Sequence, residues 1–479
     1  MSVMGEALLF AVYLAVQIGA LLAARAIVAH GRTPQGTVAW VVFLFAAPYF
    51  ALPAFLIFGH RRYPGYIATR RALSQEMAAL RELTAEHTPT PAEDSLEDPG
   101  RIRGFERLAG VELSSGNALT LLVNGEEAFP AIFAAIDAAE DYILAQFYAL
   151  GADHLGTEFA ERLIAKARAG VRVYLLYDAI GSHVTRAYLE HLRAGGVNVR
   201  NFHAIRRSRG RLQVNFRNHR KILVTDGKAA FTGGLNLSDL YMGRDPRLSP
   251  WRDTMVRVEG PCAAQLQFIF AEDWLWSSGE KLALDWNPRA AAAESPGTAN
   301  ALVLAPGPAD RQESGSLYFV NAIGAARRRI WIASAYFVPD VDILSALKVA
   351  ALRGVEIRIL VPDRRDHWLV WLAAFAYFDE VKAAGVEVWR YMEGFSHQKV
   401  ILIDDDIASV GSINLDNRSC RLNFEITLLA ADRPFAAEVE RMLTRDFEFS
   451  SRTLPSLSHQ PSHLIRWAAP VARLLAPVL

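Results

Sequence analysis

The chain has 479 residues, 52 % of them hydrophobic, and its 51 Lys+Arg are balanced by 51 Asp+Glu. That length exceeds one typical core and implies two domains or more, while the hydrophobic share sits between a soluble protein and a polytopic transporter, as in a partly membrane-embedded enzyme. With zero formal net charge, no global field recruits nucleic acid or anionic lipid, so any electrostatic recruitment is local. Cys262 and Cys420 lie far apart and match no metal spacing, which favours a reducing compartment.

Residues 7–24 are uncharged and apolar apart from Gln17, long enough at helical rise to span a thin bilayer. A signal peptide is the competing reading. Against it, no basic residue precedes the run, no cleavage motif follows, and a second apolar run comes at once. That second run, 38–59, carries Trp40 near one end. Its prolines, Pro48 and Pro53, would disrupt a soluble helix but are tolerated in lipid. Two buried core helices are the alternative to a transmembrane hairpin over 1–60. Arg61, Arg62, Arg70 and Arg71 follow the second run, against Arg25 and Arg32 in the connection, so both ends of the hairpin are expected on the cytoplasmic side. Residues 61–107 read as a membrane-proximal segment. It comprises an amphipathic helix over 66–87, lying on the membrane or packing on the catalytic body, and an acidic, Pro-rich linker over 88–100.

An internal repeat follows. A strand over 142–148, a helix over 158–169 and a strand over 171–177 are matched by a strand over 329–337, a helix over 343–353 and a strand over 355–361. Strand, helix and strand in alternation predict an α/β protein with two pseudo-symmetric mixed-sheet domains, 108–295 and 296–455. Packed face to face, they would bring their motifs into one cleft.

Those motifs are His219-Arg220-Lys221 running on to Asp226, and His397-Gln398-Lys399 running on to Asp404. Both read His-x-Lys-x-x-x-x-Asp. Residues two apart on a strand share a face, so His219 projects with Lys221 and His397 with Lys399, while Arg220 and Gln398 point away. Asp226-Gly227 is a hairpin-turn signal that puts Asp226 at the strand's end. Each copy continues to Gly233-Gly234-Leu235-Asn236 or Gly411-Ser412-Ile413-Asn414, with the same step from His to Asn. Small residues let backbone approach a ligand, and an Asn amide donates to a phosphate oxygen. Two His, two Lys and two Asn make a site for a phosphodiester, with a nucleophile, an acid for the leaving alcohol and cations for the charge. No metal or cofactor is expected.

The doubled motif resembles the phospholipase D superfamily. Its surroundings are similar to bacterial cardiolipin synthases: Asn215-Phe216-Arg217-Asn218, Trp251-Arg252-Asp253, Val258-Glu259-Gly260-Pro261, and Asn414-Leu415-Asp416-Asn417-Arg418-Ser419 followed by Leu422-Asn423-Phe424-Glu425. The resemblance implies a phosphatidyltransferase that joins two phosphatidylglycerol molecules into cardiolipin and glycerol through a phosphatidyl-histidine intermediate. By that analogy His219 is the nucleophile and His397 the general acid and then base, although the pattern alone leaves the reverse assignment open. Lys221 and Lys399, with Asn236 and Asn414, would hold the phosphate oxygens. Asp226 and Asp404 complete the candidate catalytic motifs but, at strand ends, are expected to brace the fold. The acids that orient the imidazoles are then Asp253 and Glu425, one further along each copy. Gln398 stands where the family suggests a small residue, on the face away from His397 and Lys399.

The implied partners are phosphatidylglycerol, other anionic phospholipids and the bilayer, without nucleic acid, and the oligomeric state stays open. The implied place is the bacterial inner membrane, multi-pass, with the catalytic domains cytoplasmic. The cluster Arg206, Arg207, Arg209, Arg211 and Arg217 would gather anionic lipid or form a solvated loop. The tail, 456–479, places Arg466 and Arg473 on one helical face, to graze the bilayer or to pack. The rival activities are a membrane-bound phospholipase D hydrolase, a transphosphatidylase with another donor, a nuclease, and a non-catalytic lipid-binding anchor.

Overall fold

A computed structural model describes residues 3–30, 34–59, 66, 98–202, 216–286, 297–453 and 455–476. Nearly all of the helix expected over 66–87, most of the acidic linker, and Arg206, Arg207, Arg209 and Arg211 lie outside the described residues. The chain divides into two compact units, 1–64 with 206–216, and 65–205 with 217–479.

In the first unit, α1 (Val3–His30) contains an apolar window, Met4–Ala29, of mean hydropathy 2.2. Among the described residues it is the one helix long and apolar enough to cross a membrane. The second apolar run is not one helix but two, α2 (Pro34–Ala46) and α3 (Pro48–Phe58). Pro48 opens α3. It brings no backbone N–H and disfavours helical geometry in the residue before it, so Ala47 turns to φ −143° and ψ 61° and the single expected span is interrupted there. Ala20, Ala23, Ala24 and Ile27 of α1 pack against Leu44 of α2 and Ala51 of α3. The small side chains allow close approach. A Cβ on Gly19 would meet Leu52 Cδ2 at 2.8 Å.

The second unit holds one continuous order of fifteen strands. In its first half these are β1 (Ser114–Val123), β2 (Tyr142–Phe147), β3 (Arg172–Tyr177), β4 (Asn198–Asn201), β5 (Ile222–Thr225), β6 (Ala229–Gly233) and β7 (Thr254–Glu259). The second half has β8 (Ala299–Leu304), β9 (Arg329–Ser334), β10 (Glu356–Pro362), β11 (Glu387–Tyr391), β12 (Lys399–Ile403), β13 (Ile407–Gly411), β14 (Thr427–Ala431) and the short β15 (Ser450–Ser451). From β1 outward the first half runs β7-β6-β5-β2-β3-β4, and from β8 outward the second runs β14-β13-β12-β9-β10-β11 before ending on β15. The two orders are equivalent strand for strand, the duplication expected from sequence. β1 joins them: Ser114 and Asn117 pair with β8, with a register shift between the two, and Ala118 to Val123 pair with β7.

Within each half the crossover helices follow the same local rules. Asp153 caps His154–Arg168 by accepting from Gly156 N at 3.1 Å, and Asp340 caps Val341–Leu352 by accepting from Ile343 N at 2.9 Å. Both helices end at a glycine with positive φ, Gly170 at 96° and Gly354 at 82°. β2 and β9 are buried along nearly their whole length, as parallel strands covered on both faces must be. Each half has its own apolar core, one built on Phe129, Phe147 and Phe159, the other on Phe319, Leu347 and Phe378. The final helix, His463–Arg473, packs Ala469 and Ala472 toward the second core. Arg473 donates to Ala376 O at 3.1 Å and pairs with Glu380 at 2.9 Å, so this arginine of the tail is a packing group.

Candidate active site

Two short parallel ladders decide where the imidazoles go. Phe395–Ser396 pairs with Trp251–Arg252, and Arg217–Asn218 pairs with Asn423–Phe424. Each ladder joins one half to the other, and each delivers a histidine at its end: His397 N donates to Arg252 O at 2.7 Å, and His219 N to Phe424 O at 2.8 Å. Both histidines therefore leave a strand fixed by the opposite half.

The acids follow the same exchange. His219 Nδ1 lies 2.8 Å from Glu425 Oε2, and His397 Nδ1 lies 2.7 Å from Asp253 Oδ2. The acid downstream of each motif thus serves the histidine of the other. A carboxylate at Nδ1 favours a proton there, which leaves Nε2 its lone pair, the tautomer a nucleophile or base requires; at His397 the Lys399 Nζ also lies 2.7 Å from Nδ1. The carboxylates are themselves held. Glu425 accepts from Asn423 Nδ2 at 3.0 Å and from the Ser412 hydroxyl, and Asp253 accepts from Thr254 N at 2.8 Å. Burial pushes both acids up. Their neighbours outweigh it, chiefly the charge of Lys399 and the His397 imidazole at Asp253 and the His219 imidazole at Glu425, so both carboxylates stay below their ordinary range.

Burial has the opposite consequence for the bases. It lowers the pKa of His219 against the pull of Glu425, and lowers that of His397 to about 4 with help from the charge of Lys399. Lys221 is pushed down to about 7 and Lys399 to about 8, in both cases chiefly by burial. The charge of Lys399 also acts on His219 and Lys221, so the two motifs form one electrostatic site. Lys221 Nζ donates to His219 O at 2.6 Å, and Lys399 Nζ is bonded to His397 O. Each ammonium is curled beside its own histidine, as expected from sequence.

Asn236 and Asn414 are both buried. Asn236 donates to Tyr241 OH at 2.8 Å and accepts from Ala149 N at 3.2 Å. Asn414 Oδ1 is buried without a hydrogen-bond partner among the described residues. Asp226 and Asp404, grouped with the catalytic motifs from sequence, sit apart from the imidazoles. Asp226 accepts from the backbone N–H groups of Glu140, Asp141 and Tyr142, each at 2.8 Å, and so ties down the start of β2. Asp404 does the same before β9, accepting from Arg328 N at 2.8 Å and Arg329 N at 3.0 Å, and it also pairs with Arg101 at 2.7 Å. Both turn with φ near 50°, at 54° and 51°, as the tip of a two-strand hairpin demands.

The residues pointing away from the site have their own buried partners. Arg220 Nη1 meets Asp273 Oδ1 at 2.7 Å, and Gln398 Nε2 donates to Asp446 Oδ2 at 2.9 Å. In the second half the missing cation comes from Arg252, whose guanidinium meets both oxygens of Asp446 at 2.7 and 2.9 Å. Gln398 thus fits because Arg252 carries the charge that Arg220 supplies on the other side. Aromatic rings wall the site. Tyr148 meets His219 edge-on at 4.9 Å between centroids, and Trp251 lies 4.9 Å from His397. Sequence reasoning did not single out Tyr148, although it closes the strand whose counterpart in the second half ends beside Tyr336.

A family described as "Cardiolipin synthase, PLD-like domain" matches residues 132–274 and 319–447, one stretch in each half. The chain belongs to this family. It is 45 % identical over 454 residues to a protein named Cardiolipin synthase A from Pseudomonas putida (strain GB-1), covering 94 % of each chain. It is 44 % identical over 468 residues to one of the same name from Pseudomonas aeruginosa (strain LESB58), covering 97 % of this chain and 95 % of that one. Among solved structures, the phosphatidylserine synthase of Haemophilus influenzae Rd KW20 shares the fold, with a TM-score of 0.60 at 14 % identity, over 79 % of this chain and all of that one.

Proposed function

We propose that the chain is a phosphatidyltransferase that makes cardiolipin from two phosphatidylglycerol molecules and releases glycerol. The observation that carries this reading is the reciprocal pairing, His219 with Glu425 and His397 with Asp253, which sets a buried carboxylate on Nδ1 of each ring. His219 Nε2 attacks the donor phosphorus, the P–O bond to glycerol breaks, and His397 gives its proton to the departing oxygen. In the second step the primary hydroxyl of the acceptor gives its proton to His397 and attacks the phosphorus. The P–N bond breaks and cardiolipin leaves. Lys221 and Lys399, with Asn236 and Asn414, stabilise the charge on the non-bridging oxygens. Burial keeps both rings neutral in the free enzyme, and an arriving phosphodiester anion is the counter-charge that returns a proton to one of them.

Two domains, 108–295 and 296–455, carry the chemistry, behind a membrane anchor in 1–60 and a proximal segment in 61–107, and before the tail 456–479. α1 crosses the inner membrane, and α2 with α3 returns, leaving the catalytic domains on the cytoplasmic side. Two features support this. α1 has 28 residues, a rise of about 42 Å against a hydrocarbon core of about 30 Å, and Arg61 and Arg62 follow the second run. Transfer to a lipid alcohol rather than to water is favoured at a membrane, because the acceptor is concentrated there.

The deciding experiment is product analysis with phosphatidylglycerol labelled in its terminal glycerol. Cardiolipin and free glycerol in equal amounts are expected. Phosphatidic acid in place of cardiolipin would make the protein a hydrolase.

A further inference from the structure

His219 rests on two supports. Its backbone N–H donates to Phe424 O at 2.8 Å. Its neighbours on either side both reach Asp273, Asn218 Nδ2 donating to Oδ2 at 3.0 Å and Arg220 Nη1 to Oδ1 at 2.7 Å. Gln146 Nε2, from β2, also donates to Oδ2, at 2.7 Å. Asp273 is fully buried on the helix Pro261–Ser278. The main chain on both sides of the imidazole therefore hangs on one carboxylate and one carbonyl.

A residue from outside the two halves touches both supports. The Tyr66 hydroxyl donates to Asp273 Oδ1 at 2.8 Å, and its ring lies 4.7 Å between centroids from that of Phe424, with Trp276 at 5.3 Å. Tyr66 is 2 % exposed. Its ring thus closes an aromatic socket, while its hydroxyl binds the acid that carries both neighbours of His219. Asp446 stands behind the second motif as Asp273 stands behind the first, but Arg252 and Gln398, which bind it, lie inside the halves. Tyr66 precedes both stretches that match the family and comes eight positions after Phe58, where α3 ends.

We infer that Tyr66 is a positioning residue for His219: seated in this socket, it fixes Asp273 and Phe424, and through them the place of the imidazole. This rests on His219 acting on the phosphodiester as proposed above. The segment that follows the amino-terminal helices is thereby part of the support of the active site, and turnover requires it to be seated. A nucleophile displaced by a fraction of an ångström loses rate before the enzyme loses affinity. Because Tyr66 acts through His219, its removal slows the chemical step and leaves lipid binding nearly unchanged.

The test compares full-length parent, Tyr66→Phe and Tyr66→Ala in phosphatidylglycerol vesicles, reading release of labelled terminal glycerol, with Tyr318→Phe as the control. Tyr318 is an equally buried tyrosine of the second core, whose hydroxyl shares a hydrogen bond with Ser409. Tyr66→Ala should lower kcat about fifty-fold, and Tyr66→Phe, which keeps the ring and loses only the hydroxyl, about five-fold, both with KM within about two-fold of the parent. Tyr318→Phe should lower Tm as much as Tyr66→Phe does and keep kcat within about two-fold of the parent. A Tyr66→Ala protein with kcat within about two-fold of the parent, or a kcat loss in Tyr66→Phe no larger than in Tyr318→Phe, would overturn the inference. Glycerol release is common to transfer and hydrolysis, so the two readings fail separately. Phosphatidic acid in place of cardiolipin from the parent rejects the transferase and leaves the Tyr66 result standing.

Discussion

At the scale of single residues, the chemistry depends on which ring nitrogen carries the proton. A carboxylate fixed to Nδ1 settles it, so Glu425→Gln and Asp253→Asn should fold yet lower the rate of cardiolipin formation by about 10²-fold or more, read from initial rates on phosphatidylglycerol. The lysines give a pH signature. Their active form is the cation, which lies below the pKa, and burial has brought Lys221 to about 7 and Lys399 to about 8. Raising the pH through that range discharges them in the free enzyme, so kcat/KM should fall there, with kcat falling less because bound phosphate restores the charge. A kcat/KM that stays flat across that range would contradict the assignment. The closeness of Lys221 to His219 is legible in the sequence because they are two residues apart, although both lie between strands, Arg217–Asn218 and Ile222–Thr225. The exchange of acids is not. His219 and Glu425 are 206 residues apart, and nothing local to either motif says that the ladder at Asn423–Phe424 will cross to Arg217–Asn218.

At the scale of elements, the hairpin turns and the amino-terminal helices carry separate expectations. Asp226 and Asp404 each satisfy backbone donors at the start of a buried strand. Asp226→Ala or Asp404→Ala should therefore lower stability by about 2–4 kcal/mol, seen as a lower Tm, while the folded fraction keeps most of its turnover. Loss of turnover without loss of stability would return these residues to the catalytic set. For the anchor, the proposed topology puts Arg32 on the outer side and Arg62 on the inner. An impermeant thiol label on intact cells should react with Arg32→Cys and spare Arg62→Cys, and the native Cys262 and Cys420 are buried and will not compete. Pro48 was visible in the sequence, and its effect follows from its missing N–H. Proline also restricts the residue before it, and Ala47 leaves helical geometry altogether.

At the scale of the whole molecule, neither half is complete. Each supplies an imidazole and the carboxylate for the other, and β1 spends its first residues on one half and the rest on the other. Segments 1–295 and 296–479 expressed separately should each be inactive in transfer, and co-expression should restore measurable cardiolipin synthesis. Activity from one segment alone would contradict the reciprocal site. The duplication itself was readable from Gly170 and Gly354 and from the paired strand, helix and strand pattern around them. The meeting of the Tyr148 and His219 rings was not, since the tertiary fold brings them together.

The crossing of Glu425 to His219 also sets a time at which chemistry can begin. As the polypeptide leaves the ribosome from its amino end, the first histidine emerges long before the acid that fixes its tautomer. A nascent chain paused between residues 219 and 425 holds the proposed nucleophile without the carboxylate that would orient it. On the proposed mechanism, lipid turnover is thereby withheld from incomplete translation products.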